Sequence, residues 1–291
     1  MRITASRMLE LSTLATSRAQ SEVAEISEEL SSGKRVALPS QDPVAWAAAR
    51  RAAVRQAASQ GRGEALALGH DHLVETERAL TTIGDALSES KQLAVQAANA
   101  TTGAVDRAAL GVRVAGLYQI ALAAANSKNV AGEHLLAGSA STTAPFDASG
   151  VYTGDAATRE LELGEGTLGA STLAGAALTA AEGVDVLPAL GRLVTALAGN
   201  DLPAIQVAIG ELEVAHAQTV EARAHVGSLQ GVVDEANQLR GALEDTMAER
   251  VSALTDTDVV GAAGELARRA TALTAAQAVT AKLAALLSPA R

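Results

Sequence analysis

Cysteine and aromatic residues are what this 291-residue sequence most lacks. It has no cysteine, so a disulfide framework, a thiolate metal site and a cysteine nucleophile are all excluded. Only 1% of its residues are aromatic, whereas enzyme pockets and tight interfaces usually recruit aromatic side chains. Alanine, leucine, valine and threonine supply the apolar surface instead, and we expect the chain to bury that surface along long, shallow seams.

Dense basic runs and long apolar runs are also missing. The formal net charge is -10, and no run of basic residues could follow a phosphate backbone, so nucleic acid is not an expected partner. The amino terminus mixes charged residues with apolar ones and has no signal-peptide h-region. No stretch reaches the roughly 18 uncharged apolar residues that a membrane span needs. We therefore expect no membrane insertion, and a cytosolic protein or one exported without a cleaved apolar signal.

The first predicted helix carries a narrow apolar stripe. Periodicity is helical over residues 3–32, and Gly33 then supplies a C-terminal stop. Apolar residues recur at steps of four, three and four, which keeps them on one side of a helix. A stripe of this width predicts contact with a neighbour along one line. Its members are Ala19, Val23, Ile26 and Leu30.

Helical patterns continue through most of the chain. Asp42 is suited to cap a second helix that Pro43 begins, and we expect this helix to end near Gln60, before a longer one starts. The pattern breaks near residues 101–106, resumes to residue 124, and returns over 186–197 and 202–254. The longer helix has coiled-coil spacing of seven, three and four at Leu73, Leu80, Ile83 and Leu87.

Residues 138–183 have a different character, because glycine, serine and threonine become frequent and short alternating stretches appear. These features predict a small β-rich insertion. A literal G-x-G-x-x-G runs from Gly164 to Gly169, and Asp185 stands where a ribose-binding acid would fall. A dinucleotide fold needs alternating strands and helices, however, and everything after Asp185 has a helical pattern. We therefore interpret the glycines as a turn region.

Catalytic and metal-binding patterns are otherwise weak. Four of the five histidines form the pairs 70 and 72 and 216 and 225, and neither spacing fits the i, i+4 pair of a helical zinc site. No serine lies in a G-x-S-x-G elbow, and no acidic pair is marked out. We expect no cofactor, no metal ion and no enzymatic activity.

The last segment is the most regular part of the sequence. Seam residues alternate by three and four without a slip over three and a half heptads. Gln277 and Thr280 are polar seam positions, which cost stability but fix register and partner number. We interpret this helix as an interface in which the polar residues fix the register and the number of partner helices. The alternative is a core helix that tolerates a polar pair. The seam comprises Ala263, Leu266, Ala270, Leu273, Gln277, Thr280, Ala284 and Leu287.

The stretch ISEELSSGKRVALPSQDPVAWAAA, residues 26–49, resembles the flagellin superfamily. Members of that family have a Ser-Gly-Lys-Arg turn, a Pro-Ser-acidic-Asp loop and an alanine-rich helix. The form from Asp42 to Ala45 is similar to the hook-filament junction proteins. Residues 117–146 resemble that family's Gly-x-Tyr-Leu-Phe-Ala-Gly and Thr-x-x-x-Pro-Phe motifs, with His134 and Leu136 where aromatics are usual. ARAHVGSLQGVVDEANQL and the closing helices are also similar.

The resemblance implies a fold and a domain organisation. The fold is expected to be mainly α: a long coiled-coil-like helical rod formed by both chain ends, with a small β-rich domain inserted at mid-sequence. Terminal axial helices would occupy 1–40 and 255–291, a helical rod domain 41–137 and 185–254, and an outer β-rich domain 138–184. The expected assembly interface comprises Val23, Ile26, Leu30, Leu266, Leu273, Gln277, Thr280 and Leu287.

The resemblance also implies a structural role at the flagellar hook-filament junction. The terminal helices would be poorly ordered in the free subunit and fold together on assembly. Expected partners are further copies in a ring-like homo-oligomer, hook-associated protein 1 on the hook side, flagellin on the filament side, and an export chaperone with the type III apparatus. The expected location is the extracellular flagellum. The alternatives are a short flagellin and, from another class, a nucleotide-binding enzyme resting only on the glycine string.

Overall fold

The computed structural model describes residues 5–287, and side chains from residue 7 to residue 285. The described chain is mainly α-helical, as predicted. Two antiparallel strands, β1 (Glu160–Gly164) and β2 (Thr167–Ala170), and a 3-10 turn (Gly175–Leu178) lie between the third and fourth helices. The helices are α1 (Ala5–Ser32), α2 (Pro43–Ala98), α3 (Ala104–Ala125), α4 (Val186–Ala198), α5 (Leu202–Thr255) and α6 (Val259–Leu287).

The chain divides into two compact units. The terminal unit comprises residues 1–58 and 243–291, and the middle unit comprises residues 59–242. Helices α2 and α5 each contribute residues to both units. The three-part organisation that the sequence suggests stays a prediction.

The middle unit holds the large hydrophobic core. The α2 residues with coiled-coil spacing, Leu73, Leu80, Ile83 and Leu87, have no exposed surface. They belong to one cluster that also contains four fully buried leucines of α4 and apolar residues of α3 and α5. Burial of this kind stabilises a fold by roughly 1.5–3 kcal/mol for each large aliphatic side chain. The α4 members are Leu187, Leu190, Leu193 and Leu197.

Helix α2 is one uninterrupted helix, so the prediction that a helix ends near Gln60 is wrong. Glycines in a helix interior cost about 1 kcal/mol each relative to alanine, which is why the sequence favoured a break. Here two of them make room for close packing. A Cβ at Gly63 would lie 2.7 Å from Arg240 Cζ, and a Cβ at Gly69 would lie 2.9 Å from Leu161 Cδ2.

The start of α2 forms as the sequence indicates. Asp42 Oδ1 accepts hydrogen bonds from the backbone N–H groups of Val44 (3.1 Å) and Ala45 (2.9 Å), which satisfies two donors of the first turn. Pro43 occupies the first helical position, where its missing N–H costs nothing. Gly33 follows α1 with a φ of 67°, the left-handed conformation that glycine tolerates best.

The mid-sequence insertion contains less regular β-structure than its composition suggested. Strands β1 and β2 form a single hairpin, and an isolated bridge joins Phe146 to Tyr152. The G-x-G-x-x-G string crosses the hairpin turn, with Gly166 at a φ of 75°, and it continues into β2 rather than into a helix. A pyrophosphate-binding loop needs a helix N-terminus at that point, so the string is a turn.

Arg107 of α3 links three segments at one end of the middle unit. The residue is only 5% exposed. Its Nε donates to the Ala97 carbonyl oxygen at 2.8 Å, and its terminal nitrogens donate to the Asn99 carbonyl oxygen (3.2 Å) and to Asn200 Oδ1 (2.7 Å). These bonds join the end of α2, the start of α3 and the α4–α5 turn.

Helix α3 is, within residues 5–287, the one helix long and apolar enough to cross a membrane by length and composition. This is weak evidence for a span, because Val114, Ala121 and Ala125 of the same helix belong to the core of the middle unit. The helix also packs along α4.

Candidate assembly interface

Helices α1 and α6 of the terminal unit pack against each other in antiparallel order. Near the start of α1, Ser12 contacts Thr280; further along, Glu22 pairs with Arg269; just after its end, Lys34 pairs with Asp256. The partners descend in number as α1 ascends, which defines the direction. The two helices that the sequence predicted to carry narrow stripes therefore meet within one chain.

The contact surface of α1 has a strict heptad pattern. Half-buried residues recur at alternating steps of three and four from Leu9 to Leu30, and the predicted stripe forms the second half of this series. None of these side chains is fully buried. The series is Leu9, Ser12, Thr16, Ala19, Val23, Ile26 and Leu30.

The seam of α6 differs from the predicted one in every second position. Leu266, Leu273 and Thr280 are half-buried, as expected, but Ala263, Ala270, Gln277 and Ala284 are exposed. Steps of three and four fit two stripes on this helix, the predicted one and a second one that differs from it at every other position. Both stripes contain Leu266, Leu273 and Thr280, so the spacing alone does not distinguish them. The observed stripe is Ala262, Leu266, Arg269, Leu273, Ala276, Thr280 and Leu283. The side chain of Leu287 lies outside the described residues.

Three hydroxyl groups form a polar layer within the seam. Thr280 Oγ1 lies 2.6 Å from Ser12 Oγ and 3.0 Å from Thr16 Oγ1. The sequence indicated Thr280 as a polar seam position but missed the two α1 residues. Extending the α1 stripe back by three and four from Ala19 would have found both.

An arginine occupies the next polar position of the α6 seam. Arg269 pairs with Glu22 on α1 and, at 2.7 Å, with Glu265 Oε1 on its own helix. The Arg269 and Arg268 guanidinium groups hold the pKa of Glu265 below its usual value through hydrogen bonds. The predicted seam contained Ala270 instead of Arg269. A long side chain at a half-buried position can keep its charge at the solvent edge, so an arginine fits this place.

The turn after α1 is hydrogen-bonded to the turn after α5. The Arg35 N–H donates to the Thr255 carbonyl oxygen at 2.8 Å, and the Thr257 N–H donates to the Gly33 carbonyl oxygen at 3.0 Å. Lys34 pairs with Asp256, and this bond together with one from Ser252 lowers the pKa of Asp256 to about 2. These bonds thus join the Ser-Gly-Lys-Arg turn to the segment between α5 and α6 within the terminal unit.

The described part of the terminal unit has almost no interior. Val36, Ala45 and Thr255 are its only buried side chains between residues 7–58 and 243–285. Apolar side chains remain exposed on both terminal helices: Leu11 and Leu14 of α1 are 52% and 56% exposed, and Val260 of α6 is 83% exposed. An apolar surface with so little cover is typical of a protein-protein contact.

Histidine and acidic side chains do not form a ligand cluster in the part of the chain that the structure describes. Between residues 5 and 287, no group of three or more histidine, aspartate or glutamate side chains is placed to hold a metal ion. His72 is buried, and its Nε2 atom lies 3.3 Å from the Leu135 carbonyl oxygen.

Comparison with known families finds a match in the first half of the chain. Residues 5–141 match the bacterial flagellin N-terminal helical region. This match covers α1, α2, α3 and the start of the loop that follows. The resemblance to the flagellin superfamily that the turn after α1 predicted is therefore confirmed.

Two curated proteins show the same relationship. The chain is 32% identical over 157 residues to flagellar hook-associated protein 3 of Salmonella typhimurium, covering 53% of this chain and 49% of that protein. It is 31% identical over 159 residues to the protein of the same name in Escherichia coli K12, covering 54% and 50%. The chain spans about half the length of the curated relatives that it matches.

A solved structure shows that the fold is shared more widely. The structure of a putative flagellar hook-associated protein from Vibrio parahaemolyticus superimposes with a TM-score of 0.68 at 16% identity. The superposition covers 74% of this chain and 99% of that one. At this identity the likeness establishes the fold alone, and it confirms the mainly α, flagellin-like architecture.

Proposed function

We propose that this chain, whose residues 5–141 match the bacterial flagellin N-terminal helical region, is a structural subunit of the flagellum that polymerises as an adapter between the hook side and the flagellin filament. The two curated relatives carry the name flagellar hook-associated protein 3, which supports this position. The resemblance of residues Asp42 to Ala45 to junction proteins supports it independently of the terminal helices.

The observation that carries the proposal is the incomplete burial of the α1–α6 pair. A stable helical unit normally hides a wide apolar face, but both helices here leave leucine and valine side chains in solvent. Neighbouring copies would cover these surfaces, and the free energy that is missing from the isolated unit would come from assembly. A subunit of this kind needs no catalytic site, and we propose no enzymatic activity.

The assembly interface that we propose uses both sides of α6. Val23, Ile26 and Leu30 pair with the Leu266 side of α6 within one chain, and the exposed stripe that includes Gln277 is free to meet a neighbouring copy. Gln277 would then fix the register between copies, because a buried amide needs a hydrogen-bonding partner at one place along the neighbouring helix.

The remaining partners and the location follow from the junction role. We propose a ring-like homo-oligomer that contacts hook-associated protein 1 on one side and flagellin on the other. The chain would reach the extracellular flagellum through the type III apparatus, with an export chaperone and without a cleaved signal peptide. A short flagellin remains the second candidate, since the flagellin N-terminal helical region is the part of this chain that matches.

Deletion of the gene distinguishes these roles. Flagella of the deletion strain would be viewed by electron microscopy, and the culture medium would be analysed on a gel. Bare hooks with a separate flagellin shed into the medium are the expected result. Bare hooks without shed flagellin would make this chain the filament subunit, and normal filaments would overturn the proposal.

A proline pair tests the α6 interface directly. Leu273→Pro breaks the helix at a half-buried seam residue and should abolish complementation of the deletion strain while the middle unit stays folded. Val259→Pro is the matched control, because Val259 is the first residue of α6 and proline is tolerated there. Filaments assembled by the Leu273→Pro chain would refute the interface.

A further inference from the structure

A cavity of about 270 Å³ opens on the middle unit between α2, the loop after α3 and the β1–β2 hairpin. Two exposed apolar side chains line its mouth: Leu68 of α2 is 71% exposed, and Val130, in the loop after α3, is 98% exposed. Asp71, His72 and Glu75 of α2 also line it, together with Glu133 and Arg159. The Asp71 side chain is 76% exposed, whereas Glu75 Oε2 is buried. A space of this size suits one side chain rather than a helix or a cofactor.

Two of the charged groups in the cavity neutralise each other. Arg159 donates two hydrogen bonds to the Glu133 carboxylate, at 2.8 and 3.0 Å, and Asn129 and Ser141 donate further ones. Burial lowers the pKa of His72, so its ring is neutral at pH 7. The charge of the cavity therefore comes from Asp71 and Glu75.

Asp71 and Glu75 are four residues apart on α2 and face the same side. Like charges at this spacing destabilise a helix. The Asp71 carboxylate lies 3.9 Å from the His70 ring, whose other nitrogen lies 3.5 Å from Asp234. Glu75 Oε2 is buried and accepts no hydrogen bond from any residue between 7 and 285. A buried carboxylate oxygen without a donor costs free energy, and a cation in the cavity would remove that cost.

We propose that this cavity binds a lysine or arginine side chain of a partner protein. The aliphatic stem would lie against Leu68 and Val130 at the mouth, and the charged end would donate to Glu75 and Asp71. The two acidic side chains exclude phosphate groups and anionic lipid as occupants. No residue of the terminal helices takes part, so the site does not depend on the junction role.

Titration of the full-length, 15N-labelled chain with single amino-acid amides tests the site by NMR. Nα-acetyl-lysine methylamide and Nα-acetyl-arginine methylamide should give saturable shifts at the amides of Gly69, Glu75 and Val130. The norleucine amide has a similar stem without the charge and should bind at least about tenfold more weakly. Equal binding of norleucine, or no saturable shift with any amide, would overturn the proposal.

Two variants separate the site from general charge effects. Glu75→Gln should weaken the lysine amide severalfold, whereas Glu64→Gln, an exposed position of the same helix outside the cavity, should leave it unchanged. An equal loss in both variants would mean non-specific attraction and would contradict a site. Magnesium chloride that shifts the same amides at lower concentration than lysine amide would assign the cavity to a metal ion instead.

Discussion

The hydroxyl oxygens of Ser12 and Thr280 lie 2.6 Å apart, although 268 residues separate them in the sequence. Their contact lies in the seam between α1 and α6, whose other contacts are mostly aliphatic. An aliphatic seam tolerates sliding by one heptad, because leucine packs equally well on several neighbours. A hydrogen-bonded layer tolerates only one register. The polar layer therefore fixes how the two chain ends align.

Replacing Thr280 by valine should preserve stability but weaken the register. The substitution keeps the shape and removes the hydroxyl, so the free energy of unfolding of the helix pair should change by less than about 1 kcal/mol. A Leu9→Cys/Leu283→Cys pair, in a chain without native cysteine, should form a disulfide less completely in the Thr280→Val background. Thr274→Val, at an exposed position of α6, is the control and should leave the disulfide yield unchanged. Unchanged yield in both would show that the layer does not set the register.

Glu133→Gln should remove part of the pH dependence of the middle unit. Hydrogen bonds from Arg159 lower the pKa of Glu133 to about 2, below its usual 4.5. The carboxylate thus stabilises the folded state above pH 4.5, and this contribution is lost as the pH falls toward 2. Because the Arg159 side chain is 38% exposed, we expect a loss of only about 1 kcal/mol at pH 7.

Hydrogen exchange of middle-unit amides at pH 7 and pH 3 would measure this effect. The difference between the native chain and Glu133→Gln should be present at pH 7 and should shrink at pH 3. Glu64→Gln changes the same charge at an exposed position and should have no such effect. A difference that is equal at both pH values would contradict the ion-pair explanation.

Gly150→Ala should destabilise the middle unit much more than Gly166→Ala. Both glycines have a positive φ, 80° and 75°, so both substitutions strain the backbone by about 1 kcal/mol. A Cβ at Gly150 would also lie 2.7 Å from Leu187 Cβ, against a fully buried residue of α4, whereas a Cβ at Gly166 meets nothing within 4 Å. Overpacking should add about 1–3 kcal/mol at Gly150 alone. Urea unfolding followed by circular dichroism would measure both, and equal losses would refute the packing argument.

Arg107→Lys should cost about 2 kcal/mol, because an ammonium group cannot reproduce three hydrogen bonds in different directions. Arg113→Lys is the matched control on the same helix. Arg113 pairs with Glu89 and is 64% exposed, so its replacement should cost less than about 0.5 kcal/mol. Thermal unfolding of the two variants would compare them, and similar melting temperatures would show that the buried arginine is not a link between segments.

The order and type of the long helices could be read from local patterns. The Gly33 stop, the Asp42 cap and the Leu73 to Leu87 spacing each depend on residues close in sequence, and the structure has all three features. The end of a helix near Gln60 was predicted wrongly for the same reason. Local propensity penalises Gly63, but only the tertiary structure brings Arg240 against it.

By itself, the sequence determined that both chain ends form helices with heptad stripes, and that the turn between α1 and α2 resembles that of flagellins. Only the tertiary structure decided which stripe of α6 meets α1, because the two candidates share Leu266, Leu273 and Thr280. The choice depends on the contacts of Ser12 with Thr280 and of Glu22 with Arg269. Such pairs cannot be identified from the spacing of residues within either helix. Periodicity specifies a face of a helix, whereas the side chains of the opposing helix select the register.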